Sequence, residues 1–75
     1  MRQRGTLKRY IADKGFGFIA ADGGGPDIFV HATAAMKSGI GELRTGDRLE
    51  FDIEIDRTQR PRATALRLIE EEGRA

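Results

Sequence analysis

The chain has 75 residues, no cysteine and a formal net charge of +1. This length predicts one small domain, and the missing thiols exclude disulfides and thiolate metal sites, as is typical of a reducing compartment. No segment approaches the roughly 20 apolar residues of a membrane span, and no apolar run follows the N-terminal charges. We therefore expect a cytoplasmic protein with no membrane contact.

The charges nearly cancel, but they are unevenly distributed. Residues 49–56 carry four acids and no base, whereas residues 1–20 carry one acid and five bases, namely Arg2, Arg4, Lys8, Arg9 and Lys14. A basic region beside an acidic one can attract polyanions without a high isoelectric point. An ordinary mixed-charge surface explains the same pattern, so charge alone leaves both interpretations open.

Glycine and proline divide the chain into segments of strand length. The strongest turn signal is Gly-Gly-Gly-Pro at 23–26. The turns predict five strands, at roughly 5–12, 16–21, 27–32, 48–56 and 62–69. One helical turn is predicted at roughly 33–38, and Ile40 and Leu43 of the following connection are expected to pack on the core.

The fourth segment has the clearest pattern, because apolar and acidic residues alternate through LEFDIEID at 49–56. Period two predicts a strand with one buried and one hydrated face. In the last segment, Leu66 and Leu68 likewise share a face opposite Arg67. Five short strands indicate an antiparallel barrel or sandwich, and closure favours the barrel at this length because it leaves few exposed edges.

The second and third segments each have an aliphatic and an aromatic face. Side chains alternate along a strand, so Phe16 and Phe18 share one face of the second segment, and Phe29 and His31 share one face of the third. Burying a histidine among cations is costly without partners, so we predict that the rings lie outside and mark a binding site. A sandwich with the rings in its core is the alternative. With the rings outside, the predicted core consists of Leu7, Ile19, Ile28, Val30, Leu49, Phe51, Ile53, Ile55, Leu66 and Leu68.

Phenyl rings on a sheet with a basic rim suit single-stranded nucleic acid, because each base stacks at about 1–3 kcal/mol while phosphates meet the rim. A duplex hides the faces of its bases and should bind worse. His31 is the only histidine and has no carboxylate pair beside it. We therefore expect no metal, no cofactor, no small-molecule substrate and no enzymatic activity. Neither GFG nor GGG matches a phosphate-binding loop.

The order KGFGFI (14–19) and DIFVH (27–31) resembles the paired ribonucleoprotein-type motifs of the cold-shock domain family. GTLKRYIADKGFGFI, TGDRLEFDIE and PRATALRL are similar to its opening, fourth and closing strands. The resemblance implies an all-β, five-stranded antiparallel OB-type barrel that binds single-stranded RNA and DNA as an RNA chaperone or as a regulator of transcription or translation. We expect a monomer, with this domain at 1–70 and a flexible tail at 71–75.

Matched position by position, the resemblance implies a set of binding residues: Lys8, Tyr10, Lys14, Phe16, Phe18, Asp27, Phe29 and His31. Asp27 would accept a hydrogen bond from a base edge, or would instead cap the Gly-Pro turn. Arg9 joins the set because a guanidinium stacks on bases and pairs with phosphate.

Three positions depart from the family pattern. The family usually has Trp at Arg9, Phe at Ala32 and often an aromatic residue at Ile40. With fewer stacking rings, we expect weaker binding, a shorter footprint and a steeper salt dependence than is typical. The alternative function is a protein-interaction module on the same barrel. Its contact would be the acidic stripe, which consists of Glu50, Asp52, Glu54 and Asp56.

Overall fold

A computed structural model describes residues 2–69 as a closed five-stranded barrel with one short helix. The elements are β1 (Gln3–Ile11), β2 (Phe16–Ala21), β3 (Ile28–His31), α1 (Ala32–Lys37), β4 (Arg48–Ile55) and β5 (Pro61–Leu68). All five predicted strands and the helical turn are confirmed, with ends that differ by at most two residues. The predicted tail at 71–75 lies outside the described residues. No helix in the described part is long and apolar enough to cross a membrane.

The strand order around the barrel is β1-β2-β3-β5-β4. Every pairing is antiparallel except that between β3 and β5, which is parallel. The prediction of a wholly antiparallel barrel is therefore wrong in this detail. Strand directions cannot alternate all the way around a closed barrel of five strands, so at least one neighbouring pair must be parallel. The parallel contact brings the start of β5 beside the aromatic end of the β2–β3 hairpin.

The core has the predicted aliphatic character, with Phe51 as its one fully buried ring. Leu43 is buried and Ile40 packs against the core, as predicted, while Ala35 and Ala63 complete it. Two predicted members are wrong, because Ile55 is 59% and Leu68 is 43% exposed. Each is the last residue of its strand.

A bulge in β5 explains why period two does not extend along that strand. A step of two residues along β4, from Glu50 to Asp52, corresponds to a step of three residues along β5, from Arg67 to Thr64. Ala65 lies within this bulge and adopts a left-handed φ of 52°. As a result, the buried residues Ala63 and Leu66 are three positions apart rather than two.

Candidate nucleic-acid interface

Three phenyl rings gather outside the core on β2 and β3. The antiparallel register places Phe18 opposite Phe29 and Phe16 opposite His31. The ring centroids of Phe16, Phe18 and Phe29 are 5.6–6.0 Å apart, and Phe18 meets the other two edge-on at 81° and 69°. None of the three belongs to the core, so the outward placement of the rings is confirmed and the sandwich alternative is wrong. We call these three residues the phenyl cluster.

The phenyl cluster is ordered by its own contacts. Edge-to-face pairs at this spacing contribute about 0.5–1.5 kcal/mol beyond the area they bury. Each ring is only partly buried. The cluster therefore offers aromatic surface whose geometry is set before any ligand arrives.

Gly17 lies between Phe16 and Phe18 on the opposite face of β2. A Cβ atom there would be 2.3 Å from the Arg9 carbonyl oxygen and 3.0 Å from Tyr10 Cδ1. β1 thus approaches β2 so closely that only glycine is accommodated. Tyr10 is the register partner of Gly17 and packs against the core. The structure consequently places Tyr10 on the other side of the sheet from the phenyl cluster.

A bulge in β1 brings its basic residues to the aromatic face. Leu7 pairs with Ile19 and Arg9 pairs with Phe18, so Lys8 is the extra residue. Strict alternation from the buried Leu7 would have pointed Arg9 into the core, but the bulge reverses the parity and leaves Lys8 and Arg9 exposed. Ile11 follows on the same face opposite Phe16. Ile11 could not be assigned to this face from the sequence, since only the bulge places it there.

Asp27 contacts Lys8 across the width of β2. Its Oδ2 atom accepts a hydrogen bond from Lys8 Nζ at 3.1 Å. Within the described residues, the carboxylate has this partner and does not cap the Gly-Pro turn. Lys14 is exposed in the turn between β1 and β2, directly before Gly15 and the phenyl cluster.

His31 caps α1 and extends the aromatic surface. Its Nδ1 atom accepts a hydrogen bond from the Thr33 backbone N–H at 3.1 Å, and the Thr33 hydroxyl lies 3.1 Å from the same nitrogen. The imidazole is exposed and its centroid is 6.4 Å from that of Phe29. With Nδ1 accepting, the neutral ring carries its proton on Nε2, which is then a hydrogen-bond donor.

A groove of about 510 Å³ runs between the phenyl cluster and the loop that joins β4 to β5. Asp27 lines one side, and Asp56, Arg60 and Pro61 line the other. Arg62 follows as the register partner of Phe29. The sequence pattern does not predict that Arg60, Pro61 and Arg62 lie beside the rings. A local pattern could not reveal them, because they reach the rings only through the parallel closure of β5 on β3.

Asp56 organises the loop that carries Arg60. Its Oδ1 atom accepts hydrogen bonds from the Thr58 hydroxyl at 2.7 Å, the Thr58 N–H at 2.8 Å and the Arg60 N–H at 3.0 Å. These bonds, that of the Thr58 hydroxyl first, hold the pKa of Asp56 below its ordinary value. They also compensate for the left-handed φ of 67° at Gln59.

The acidic stripe is paired within the barrel. Glu50 lies 3.6–3.7 Å from the guanidinium groups of Arg2, Arg4 and Arg67. Arg2 also reaches Asp52, and Arg62 contacts Glu54 at 3.6 Å. Two of the five N-terminal bases, Arg2 and Arg4, are thus engaged on the stripe, while Lys8, Arg9 and Lys14 remain near the rings. Among residues 2–69, no group of three or more His, Asp or Glu could hold a metal ion.

Comparison with known proteins gives a consistent result. A sequence profile described as the 'Cold-shock' DNA-binding domain matches residues 3–69. A cold shock-like protein of Aquifex aeolicus is 39% identical over 71 residues, which cover 95% of this chain and 100% of that protein. Cold shock protein ScoF of Streptomyces coelicolor is 51% identical over 49 residues, or 65% of this chain and 73% of its own length.

A plant protein shares the same region within a longer chain. Cold shock domain-containing protein 4 of Arabidopsis thaliana is 42% identical over 62 residues, which are 83% of this chain. The aligned part spans only 31% of the plant protein. The matched region is thus a minor part of the plant protein, whereas it covers the whole Aquifex protein.

Proposed function

Because this chain belongs to the cold-shock domain family, whose members bind nucleic acids, we propose that its OB-type barrel binds single-stranded RNA or DNA by base stacking. The observation that carries the proposal is the phenyl cluster, with three rings 5.6–6.0 Å apart outside the core. A base that leaves water for such a ring gains about 1–3 kcal/mol. A paired base has no free face to offer, so a single strand is preferred over a duplex.

Cations beside the cluster neutralise the phosphates of the bound strand. Arg9 is opposite Phe18, and Lys8 directly precedes Arg9 in the chain. Lys14 lies in the turn between β1 and β2. Arg60 adds a fourth cation across the groove. With Arg9 in place of an aromatic residue, more of the affinity is electrostatic, so we expect weak, short-footprint binding that declines steeply with salt.

The mechanism is passive capture. The protein binds segments that open transiently and so shifts the equilibrium away from hairpins, as an RNA chaperone or a regulator of transcription or translation does. Capture needs no nucleotide hydrolysis, cofactor or metal, and we propose that the protein acts as a monomer in the cytoplasm. Phe16, Phe18, Phe29 and His31 supply the stacking surface, and Asp27 borders it.

The test is fluorescence anisotropy with a labelled pyrimidine-rich single strand and the matching duplex. We expect the single strand to bind better and its affinity to fall with salt. Phe18→Ala and Phe29→Ala should each reduce its affinity by about tenfold, since each removes one stacking ring. Circular dichroism establishes that the variants remain folded.

Phe51→Ala is the matched control for the loss of a phenyl ring, because Phe51 is fully buried. It should lower the free energy of unfolding by about 3–5 kcal/mol, whereas the cluster variants should change it much less. Equal affinity of wild type and the two cluster variants for the single strand would overturn the proposal.

No specific observation favours the protein-interaction alternative. In its contact surface, the acidic stripe, three acids lie against Arg2, Arg4 and two arginines of β5, and Asp56 is hydrogen-bonded within its own loop. The arginines that lie among these acids make the stripe a surface of mixed charge, which is a poor match for a basic partner.

A further inference from the structure

A second groove, of about 230 Å³, lies between α1 and β5. Thr33 and Lys37 line its helical side, Glu54, Arg62 and Thr64 line its strand side, and His31 stands at its margin. The lining also includes three alanines, but it is rich in hydrogen-bond donors and contains no phenyl ring, in contrast to the groove beside the phenyl cluster. Such a lining is suited to phosphate and sugar oxygens rather than to the face of a base.

The charge balance of this second groove favours an anion. Lys37 has no partner among residues 2–69. Glu54 is the one acid, and its pair with Arg62 is long at 3.6 Å, with side chains that are 61% and 50% exposed. Exposed pairs of this kind contribute little, so a phosphate can recruit Arg62 from Glu54 while Lys37 is already available.

The second groove is continuous with the aromatic surface. His31 borders it and also lies 6.4 Å from Phe29. Arg62 lines it and is the register partner of Phe29. A strand that stacks on Phe29 and continues past His31 therefore enters the groove directly.

We propose that the groove between α1 and β5 binds the sugar-phosphate backbone of the nucleotide beyond the one stacked on Phe29. Lys37 and Arg62 contact the phosphate, and the hydroxyls of Thr33 and Thr64 contact its oxygens. The inference rests on the proposed function and deepens it. It adds a backbone-binding subsite to a surface that has lost stacking positions at Arg9, Ala32 and Ile40.

The test compares labelled oligothymidylates of three and seven nucleotides on wild type and Lys37→Gln. A trinucleotide occupies the three rings of the phenyl cluster, whereas the longer strand also reaches the groove. We expect Lys37→Gln to weaken binding of the heptamer several-fold and to reduce the magnitude of its log–log salt slope by about 0.7, the value for one phosphate contact on a single strand. Affinity for the trimer should be unchanged.

Arg67→Gln is the matched control, since it makes the same change in net charge on the acidic stripe, where Arg67 contacts Glu50. It should leave the affinity for both strands unchanged. Equal losses in the two variants would assign the effect to net charge and overturn the inference. If Lys37→Gln binds the heptamer like wild type while Phe29→Ala does not, the subsite is wrong and the proposed function stands. If wild type binds neither strand, both are wrong.

Discussion

Lys8 and Asp27 form an ion pair at the edge of the phenyl cluster, with a distance of 3.1 Å between Nζ and Oδ2. Because the pair is exposed, it contributes only about 0.2–1 kcal/mol. A phosphate that approaches the stacked strand must nevertheless compete with Asp27 for the ammonium group. The carboxylate also places a negative charge in the groove that the strand would occupy. The pair should therefore restrain binding rather than promote it.

We expect Asp27→Asn to tighten binding of a single strand by about twofold to fivefold at low salt. The substitution releases Lys8 and removes the negative charge from the groove. Anisotropy titrations measure the effect, and Glu42→Gln, an exposed residue in the connection before β4, controls for net charge. Weaker binding by Asp27→Asn would instead assign the carboxylate to a base edge, the role that the family resemblance implies.

At the scale of elements, the loop between β4 and β5 depends on one carboxylate. Three hydrogen bonds to Asp56 Oδ1 hold its pKa below the ordinary value of 3.8. A group whose pKa is lower in the folded than in the unfolded chain stabilises the fold above its unfolded pKa. That contribution disappears as the pH falls through the folded pKa.

We expect Asp56→Asn to lower the free energy of unfolding at pH 7, and we expect its difference from wild type to shrink below about pH 4. Urea unfolding at neutral and at acid pH measures both values. Asp22, whose pKa is lowered by its hydrogen bond with Arg48, titrates in both proteins and cancels in the comparison. A difference that stays constant down to about pH 3 would contradict this account.

Local features of the strands can be predicted from the sequence, whereas features that depend on contacts between distant strands cannot. Strands, turns and most of the core follow from local signals, namely alternation and the positions of glycine and proline. The bulge at Lys8 and the parallel contact of Phe29 with Arg62 depend on how distant strands close the barrel. Those long-range features place Arg60 beside the rings and Tyr10 against the core. The outward position of the rings can therefore be predicted from the sequence, whereas the positions of Arg60 and Tyr10 cannot.

At the scale of the whole molecule, the arginines and lysines divide between two uses. Arg2, Arg4 and Arg67 neutralise the acidic stripe. Lys8, Arg9 and Lys14 lie beside the phenyl cluster, and Arg60 lies across the groove from it. A net charge of +1 therefore conceals a locally basic surface around the rings, and such a local field is what steers a polyanion to one side of a small protein.

Arg9→Trp tests how this surface divides its affinity between charge and stacking. Arg9 is exposed opposite Phe18, so a tryptophan there would add a ring next to the phenyl cluster and remove one cation. A further stacked base is worth about 1–3 kcal/mol. We expect Arg9→Trp to bind a single strand about tenfold more tightly at moderate salt, with a salt slope smaller in magnitude by about 0.7.

Arg9→Gln separates the two effects, because it removes the cation without adding a ring. It should show the same reduction in salt slope together with weaker binding. The chain has no other tryptophan, so quenching of the introduced indole on titration reports directly whether a base stacks at this position. If Arg9→Trp binds no better than Arg9→Gln and its fluorescence does not change, the strand does not pass over β1. The stacking path is then confined to β2 and β3, where the phenyl cluster and His31 supply it.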